Sequence, residues 1–206
     1  MKIIGLSHRR KGLTLITLED KSELLIDTEL VQINGFAEGK DIENIEQIVF
    51  ESDLKRAKSR ALWYLSRQDH SEKALLEKLR KGGFSDKACS SAVDRMKELD
   101  LVNDQRYAAN LAEYLSSSGV SRRELYYKLI NKGISSDLAR EVLSDDDMDE
   151  TQKIKTLLFS KYAKKLESEE GVQKVFAALI RKGFYFSDVK DALKDYSDEI
   201  NNSEEF

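Results

Sequence analysis

The chain has 206 residues, 40% of them hydrophobic and 35% charged, with a formal net charge of −4. That apolar share excludes a disordered chain, while the charged share keeps each core thin and favours a repeated or elongated architecture over one large sphere. Proline is absent, which suits a chain that is mostly helix with short turns, and the single cysteine, Cys89, excludes an intrachain disulfide. The start MKIIGLSHRRKG lacks the apolar run of a signal peptide, and no stretch of about 18 apolar residues could span a bilayer, so the expectation is a cytoplasmic protein without membrane contact.

The charge is unevenly spread. Residues 1–54 hold 6 Lys/Arg against 11 Asp/Glu, residues 55–140 hold 18 against 11, and residues 141–206 hold 10 against 16. A basic block between acidic flanks points to an anionic partner, although ordinary solvated helices also carry excess charge of either sign.

In chain order, KIIGL, LTLITLE and SELLID within residues 2–27 are rich in Ile, Leu and Thr and are separated by charged or glycine-containing turns. They predict a small antiparallel sheet of two or three strands. TELVQING predicts a short helix ending at Gly35, and IENIEQIVF a second short helix. So small a sheet is marginal alone, and it is expected to pack on the helices that follow.

From residue 53 the sequence repeats. SEKALLEKLRKGGF (71–84), SRRELYYKLINKGI (121–134) and GVQKVFAALIRKGF (171–184) align without a gap, their starts 50 residues apart. Gly83, Gly133 and Gly183, followed by Phe84, Ile134 and Phe184, spell a helix that stops on a left-handed glycine, with the next apolar residue folded back on the last turn. Ser71 and Ser121 sit at N-cap positions, and Ser121 with Glu124 spells a capping box. Downstream, Cys89, Ala92 and Val93 correspond to Ala139, Val142 and Leu143 and to Val189, Ala192 and Leu193, the apolar stripe of a further helix. Upstream, Ala57, Ala61, Leu62 and Leu65 match Tyr107, Leu111, Ala112 and Leu115. The third copy keeps Leu157, Leu158 and Tyr162 but places Lys161 and Lys165 at apolar positions.

The fold class is therefore mainly α: three tandem three-helix repeats, each helix–turn–helix–glycine turn–helix, after a small N-terminal antiparallel β region. Predicted helices are 53–67, 71–82, 85–99, 104–117, 121–132, 135–144, 150–167, 171–182 and 186–196. The expected divisions are a β-rich region 1–52, repeats at 53–103, 104–147 and 148–198, and a frayed tail 199–206, with an acidic hinge over SDDDMDE (144–150).

Catalytic candidates are few, and the chain is read as a binding protein and not an enzyme, with no catalytic residue, metal or cofactor. Asp69-His70-Ser71 reads as a turn and a helix cap, because adjacent residues cannot converge in triad geometry. Cys89 lies on an apolar stripe and reads as buried and inert. No Cys/His spacing suits a metal, and the glycines end helices where a phosphate loop would begin one. Asp145-Asp146-Asp147 lacks the framing glycine and glutamate of a calcium loop. The candidate binding residues are basic: Arg67, Arg80, Lys81, Arg122, Arg123, Lys128 and Lys132, with Lys55, Arg56, Lys58, Arg60, Lys78, Arg181 and Lys182 nearby. Lys128 and Lys132 share a helix face. Arg122 and Arg123 stand at a helix N-terminus, where they oppose the dipole and an arriving anion would relieve them. The plainer alternative pairs these cations with Glu77, Glu124 or Asp137. The aromatics Trp63, Tyr64, Tyr107, Tyr114, Tyr126, Tyr127 and Phe184 to Phe186 fall at helical spacings expected mostly for cores, with Tyr127 the candidate exposed ring.

LVNDQRYAANLAEYL (101–115) followed by SGVSRRELYYKLINKGI (118–134) closely resembles the RecX family through Asn103, Asp104, Arg106, Tyr107, Ala108, Gly119, Arg122, Arg123, Glu124, Leu125, Lys132 and Gly133. The first repeat is similar through Tyr64, Leu65, Arg67, Ser71, Leu75, Lys78 and Leu79, and departs from the family pattern at His70 and Ala74. The resemblance covers about residues 53 to 195. It implies a modulator, usually an inhibitor, of the RecA recombinase in DNA recombination, repair and the SOS response. Such a protein docks in the groove of the RecA–DNA filament, binds DNA itself and uses no cofactor. The basic block adds the expectation that contact with single- and double-stranded DNA is weak and salt-dependent, and the chain is expected to be a monomer. Two other readings stand beside it: a stand-alone helix-turn-helix-like DNA-binding protein, which would need base-reading Arg, Asn and Gln at one helix start, and a helical scaffold that binds only protein.

Overall fold

A computed structural model describes residues 1–144 and 149–204, with side chains to residue 200. Asp145-Asp146-Asp147, the centre of the expected hinge, and the last two residues of the expected tail lie outside the described residues. The chain divides into two compact units, Met1–Asn103 and Asp104 onward.

The first unit opens with β1 (Ile3–Arg9), β2 (Leu13–Leu18) and β3 (Glu23–Asp27), an antiparallel sheet in sequence order. Along β2 every second residue is buried: Thr14, Ile16 and Leu18 face the core while Leu13, Leu15 and Thr17 are half-buried, the two-residue period of a one-sided sheet. Fully buried Thr14 is hydrogen-bonded, its hydroxyl lying 3.0 Å from His8 Nδ1 and 2.9 Å from the Thr28 hydroxyl. A short helix α1 (Thr28–Ile33) follows, capped by the Asp27 carboxylate.

The next helix corrects the expectation of two. α2 runs unbroken over Ile45–Leu65. The helix expected to start at residue 53 has no start there, and Ser52 and Asp53 serve other elements. The Ser52 hydroxyl accepts from Asp27 N–H at 2.7 Å, and the Asp53 carboxylate accepts from both N–H and hydroxyl of Ser85. With no proline or glycine between Ile45 and Leu65, nothing stops the helix. Its first turns, Ile45, Ile48 and Val49, pack on the sheet core of Ile3, Ile16, Leu18 and Ile26, while Ala57 and Ala61 enter the core of the first repeat. The expected packing of the sheet on the helices is thus borne out through one shared helix.

That repeat is completed by α3 (Glu72–Lys81) and α4 (Asp86–Glu98). Ser71 and Ser85 cap them, their hydroxyls accepting from Ala74 N–H at 3.2 Å and Ala88 N–H at 3.4 Å. Leu75, Leu79, Cys89, Ala92 and Val93 close the core, and each buried leucine contributes roughly 1.5–3 kcal/mol.

The second unit holds α5 (Asp104–Ser116), α6 (Arg122–Asn131) and α7 (Ser136–Ser144) around Ala108, Leu125, Leu129 and Ala139. It continues with α8 (Glu150–Leu157), α9 (Glu169–Arg181) and α10 (Phe186–Glu204) around Leu158, Tyr162, Val175, Leu179 and Val189. α10 runs through Glu204, so residues 199–204 of the tail expected to fray are helical.

Gly83, Gly133 and Gly183 end their helices at φ of 83°, 92° and 90°, the left-handed turn that the sequence implied. In the second and third repeats Ile134 N–H returns to Leu129 O and Phe184 N–H to Leu179 O, satisfying carbonyls that the helix end leaves open. The third repeat's two misplaced lysines also find a cause. After α8 the chain makes a π-helical turn, Leu158–Tyr162, and a 3₁₀ turn, Ala163–Lys165. The π turn inserts one residue, which brings Leu166 to the core in place of Lys165 and leaves Lys161 and Lys165 exposed.

Candidate nucleic-acid interface

Helix α6 begins at a capped turn. The Ser121 hydroxyl accepts from Glu124 N–H at 3.1 Å, but the return half of the predicted capping box is replaced. Ser121 N–H donates to the carbonyl of Lys182 at 3.0 Å, and the Glu124 carboxylate pairs with Lys128 at 3.7 Å. The start of α6 is thereby held against the glycine turn between α9 and α10.

Arg122 and Arg123, adjacent in sequence, part company here. Arg122 is engaged within the unit: its backbone N–H donates to Glu150 at 2.9 Å, and its guanidinium donates to the carbonyl of Leu143 near the end of α7. Arg123 lies with its guanidinium 5.6 Å from the centre of the Tyr185 ring, and Tyr185 is 57% exposed. Among the described residues Arg123 has no carboxylate within ion-pair distance. Both arginines, Tyr126, Tyr127, Arg140 and Tyr185 line an open cleft of about 530 Å³. A guanidinium beside an exposed ring can fork a phosphate or carboxylate while the ring stacks on a planar group.

Lys128 points elsewhere. With Lys161 it faces Lys182, whose ammonium donates to Ser118 O at 2.8 Å. Burial first, then the like charges of Lys161 and Lys128, push the Lys182 ammonium below its ordinary value. Lys132 is the exposed C-cap of α6, on the Lys128 side by helical spacing. The second-unit candidates thus form two basic faces instead of one.

In the first unit, Arg80 is ion-paired with Asp86 at 2.7 Å, and Lys81 is exposed at the end of α3. Arg67 lies 4.3 Å from the centre of the Trp63 ring, which Arg60 also approaches at 5.4 Å. The expectation that the aromatics are mostly core is corrected. Trp63 is 45% exposed, Tyr114 73% and Phe186 64%, and Tyr185 is exposed as well, while Tyr127 is exposed as expected. Helical spacing placed Trp63, Tyr114 and Phe186 on helices without distinguishing the rim of the core from the surface, and Tyr185 lies in the turn before α10. Tyr185 and Arg140 were the unread members of the α6 cleft, since they lie 62 and 17 positions from Arg123 in the sequence.

The readings of Asp69-His70-Ser71 and Cys89 hold. His70 and Ser71 are buried beside the α3 cap, and the Cys89 thiol donates to Phe84 O at 3.6 Å. Burial, then the carboxylates of Asp53 and Asp86, raise that thiol above its ordinary value, the opposite of a nucleophile. Among the described residues no group of His, Cys, Asp and Glu could hold a metal ion, and no helix is long and apolar enough to cross a membrane.

A tandem array of capped three-helix units bearing basic–aromatic clefts defines a helical-repeat protein. Residues 57–96 match the first three-helix domain of RecX and residues 103–143 the second. A regulatory protein RecX of Caldanaerobacter subterraneus is 34% identical over 81% of this chain and 85% of its own, and one of Clostridium perfringens strain 13 is 35% identical over 89% and 90%. A crystal structure of regulatory protein RecX shares the fold at a TM-score of 0.61 and 22% identity, covering 94% of this chain and 98% of that one, and the Lactobacillus salivarius RecX crystal structure does so at 0.58 and 23%, over 69% and 96%. The chain belongs to the RecX family of regulatory proteins.

Proposed function

We propose that this chain binds the RecA–DNA filament and restrains RecA, acting by occupancy and not by catalysis. Membership of the RecX family supports regulation, and RecA is the target that the family resemblance implies. The observation that carries the reading is the Arg123–Tyr185 cleft. It offers an unpaired guanidinium and a half-exposed ring, groups that suit the acidic side chains and phosphates of a nucleoprotein filament. On this reading the protein is a cytoplasmic monomer that needs no cofactor or membrane. Its contacts with single- and double-stranded DNA are weak and fade with salt, because they rest on phosphates. Arg67, Arg80, Lys81, Lys128 and Lys132 serve as secondary cationic contacts, Arg80 the least of them because Asp86 already neutralises it. The test is DNA-stimulated ATP hydrolysis by RecA with and without the chain. A dose-dependent fall is expected, and an unchanged rate at excess chain overturns the proposal.

A further inference from the structure

We propose that the N-terminal hairpin and α2 build a cleft for single-stranded nucleic acid around Trp63. Arg56, Arg60 and Trp63 stand at i, i+4 and i+7 on α2, one stripe of the helix, and Arg67 folds back over the same indole from the turn that follows. The hairpin brings a further cation to that stripe. At its tip Lys11 and Gly12 both take left-handed φ, 67° and 70°, and Thr28 N–H fixes the tip by donating to Gly12 O at 2.9 Å. Asp27 ties the end of β3 to α2 through Ser52 and through Lys55 at 2.8 Å. Lys11, Arg56, Arg60 and Trp63 consequently line one open cleft of about 490 Å³.

This cleft keeps a net positive charge. Its acidic member, Asp27, and the neighbouring Glu29 share Lys55, and the one negative charge left over is outweighed by Lys11, Arg56 and Arg60. Among the described residues Lys11, Arg56, Arg60 and Arg67 have no carboxylate within ion-pair distance. Such a surface selects an anion, and the layering of Arg67 and Arg60 on an indole that is 45% exposed selects a planar one. A nucleotide supplies both a phosphate for the cations and a base to stack on ring or guanidinium, whereas an acidic peptide supplies charge alone. Bases of a duplex are already stacked inside it, which leaves the single strand. The inference rests on the DNA-binding part of the proposed function, places it in a unit other than that of the Arg123 cleft, and gives the sheet a role.

Trp63 is the chain's one tryptophan, so its emission reports this cleft directly. An oligothymidylate, with no RecA present, is expected to quench that emission saturably at low salt. Lys11→Glu with Arg56→Glu is expected to weaken binding by roughly tenfold or more. Arg60→Glu is the second variant: Arg60 is exposed with its guanidinium 5.4 Å from the centre of the ring, and a loss of binding is expected with an unchanged melting temperature. Fluorescence anisotropy of a labelled oligonucleotide separates the failures. Binding that leaves tryptophan emission unmoved overturns the cleft and leaves DNA binding standing, whereas no binding at low salt overturns both. Equal quenching by polyglutamate overturns the choice of nucleic acid.

Discussion

Gly183 lies directly against Ser121: a Cβ on this glycine would stand 2.5 Å from the Ser121 hydroxyl and 2.9 Å from Glu124 Cβ. The third repeat's glycine turn is thus seated on the capped start of α6. At Gly83 the same turn faces open space, with nothing within 4 Å of a Cβ. Both positions have left-handed φ, so Gly83→Ala is expected to cost about 1–2 kcal/mol of strain. Gly183→Ala should cost that and more, because Ser121 must move and its cap, worth about 1 kcal/mol, is disturbed. Thermal melts of the two variants decide. Equal shifts would show that the turn does not bear on the cap.

What could be read in the sequence was local. The three glycine stops were legible because left-handed φ is a property of one residue, and the serine caps because the side chain reaches only three residues on. What was missed depends on distant partners. No helix starts at residue 53: Asp27 and Ser85, 25 and 32 positions away, engage the side chains of Ser52 and Asp53, and α2 runs on. Lys161 and Lys165 read as a decayed repeat because a π turn leaves no mark in a gapless alignment. Arg122 and Arg123 read as twins, and only the contacts of the former with Leu143 and Glu150 tell them apart.

Those contacts predict opposite stability effects. Arg122→Ala removes a hydrogen bond to the part-buried carbonyl of Leu143, worth about 0.5–1.5 kcal/mol, so its melting temperature should fall. Arg123→Glu places an acidic residue in the first turn of α6, where the helix dipole favours it, so that melting temperature should hold or rise slightly. Differential scanning calorimetry reads both, and a destabilised Arg123→Glu chain would show that its ring contact is structural.

Alkaline stability should report Cys89. Its folded-state thiol is raised by burial, so above the ordinary thiol value the unfolded chain has lost a proton that the folded chain keeps. The stabilisation is complete below that value and is lost as pH rises through the raised one. Cys89→Ala should flatten the decline of stability with pH over that window. Iodoacetamide should label the native chain far more slowly than the unfolded one, and comparable rates would mean that the thiol is open to solvent.

The decisive variants for the proposed regulation follow from the division of labour at α6. Arg122 is engaged within the unit, so reversing it would confuse misfolding with lost docking. Arg123→Glu with Tyr185→Ala removes the cation and the ring of the cleft while leaving the Ser121 cap and the Arg122 contacts in place. One charge-assisted contact is worth about 1.5–3 kcal/mol, so restraint of RecA should need roughly ten to a hundred times more protein. Lys164→Glu with Lys165→Glu is the matched control. It reverses two charges on the exposed 3₁₀ turn of the acidic third repeat and should shift the inhibition curve little. RecA ATP hydrolysis and strand exchange give the readout, with circular dichroism to confirm that each variant is folded. If the folded Arg123/Tyr185 variant restrains RecA at the parent concentration, the cleft is a solvated surface, and any contact with the filament is made by the Lys128 face or by the first unit.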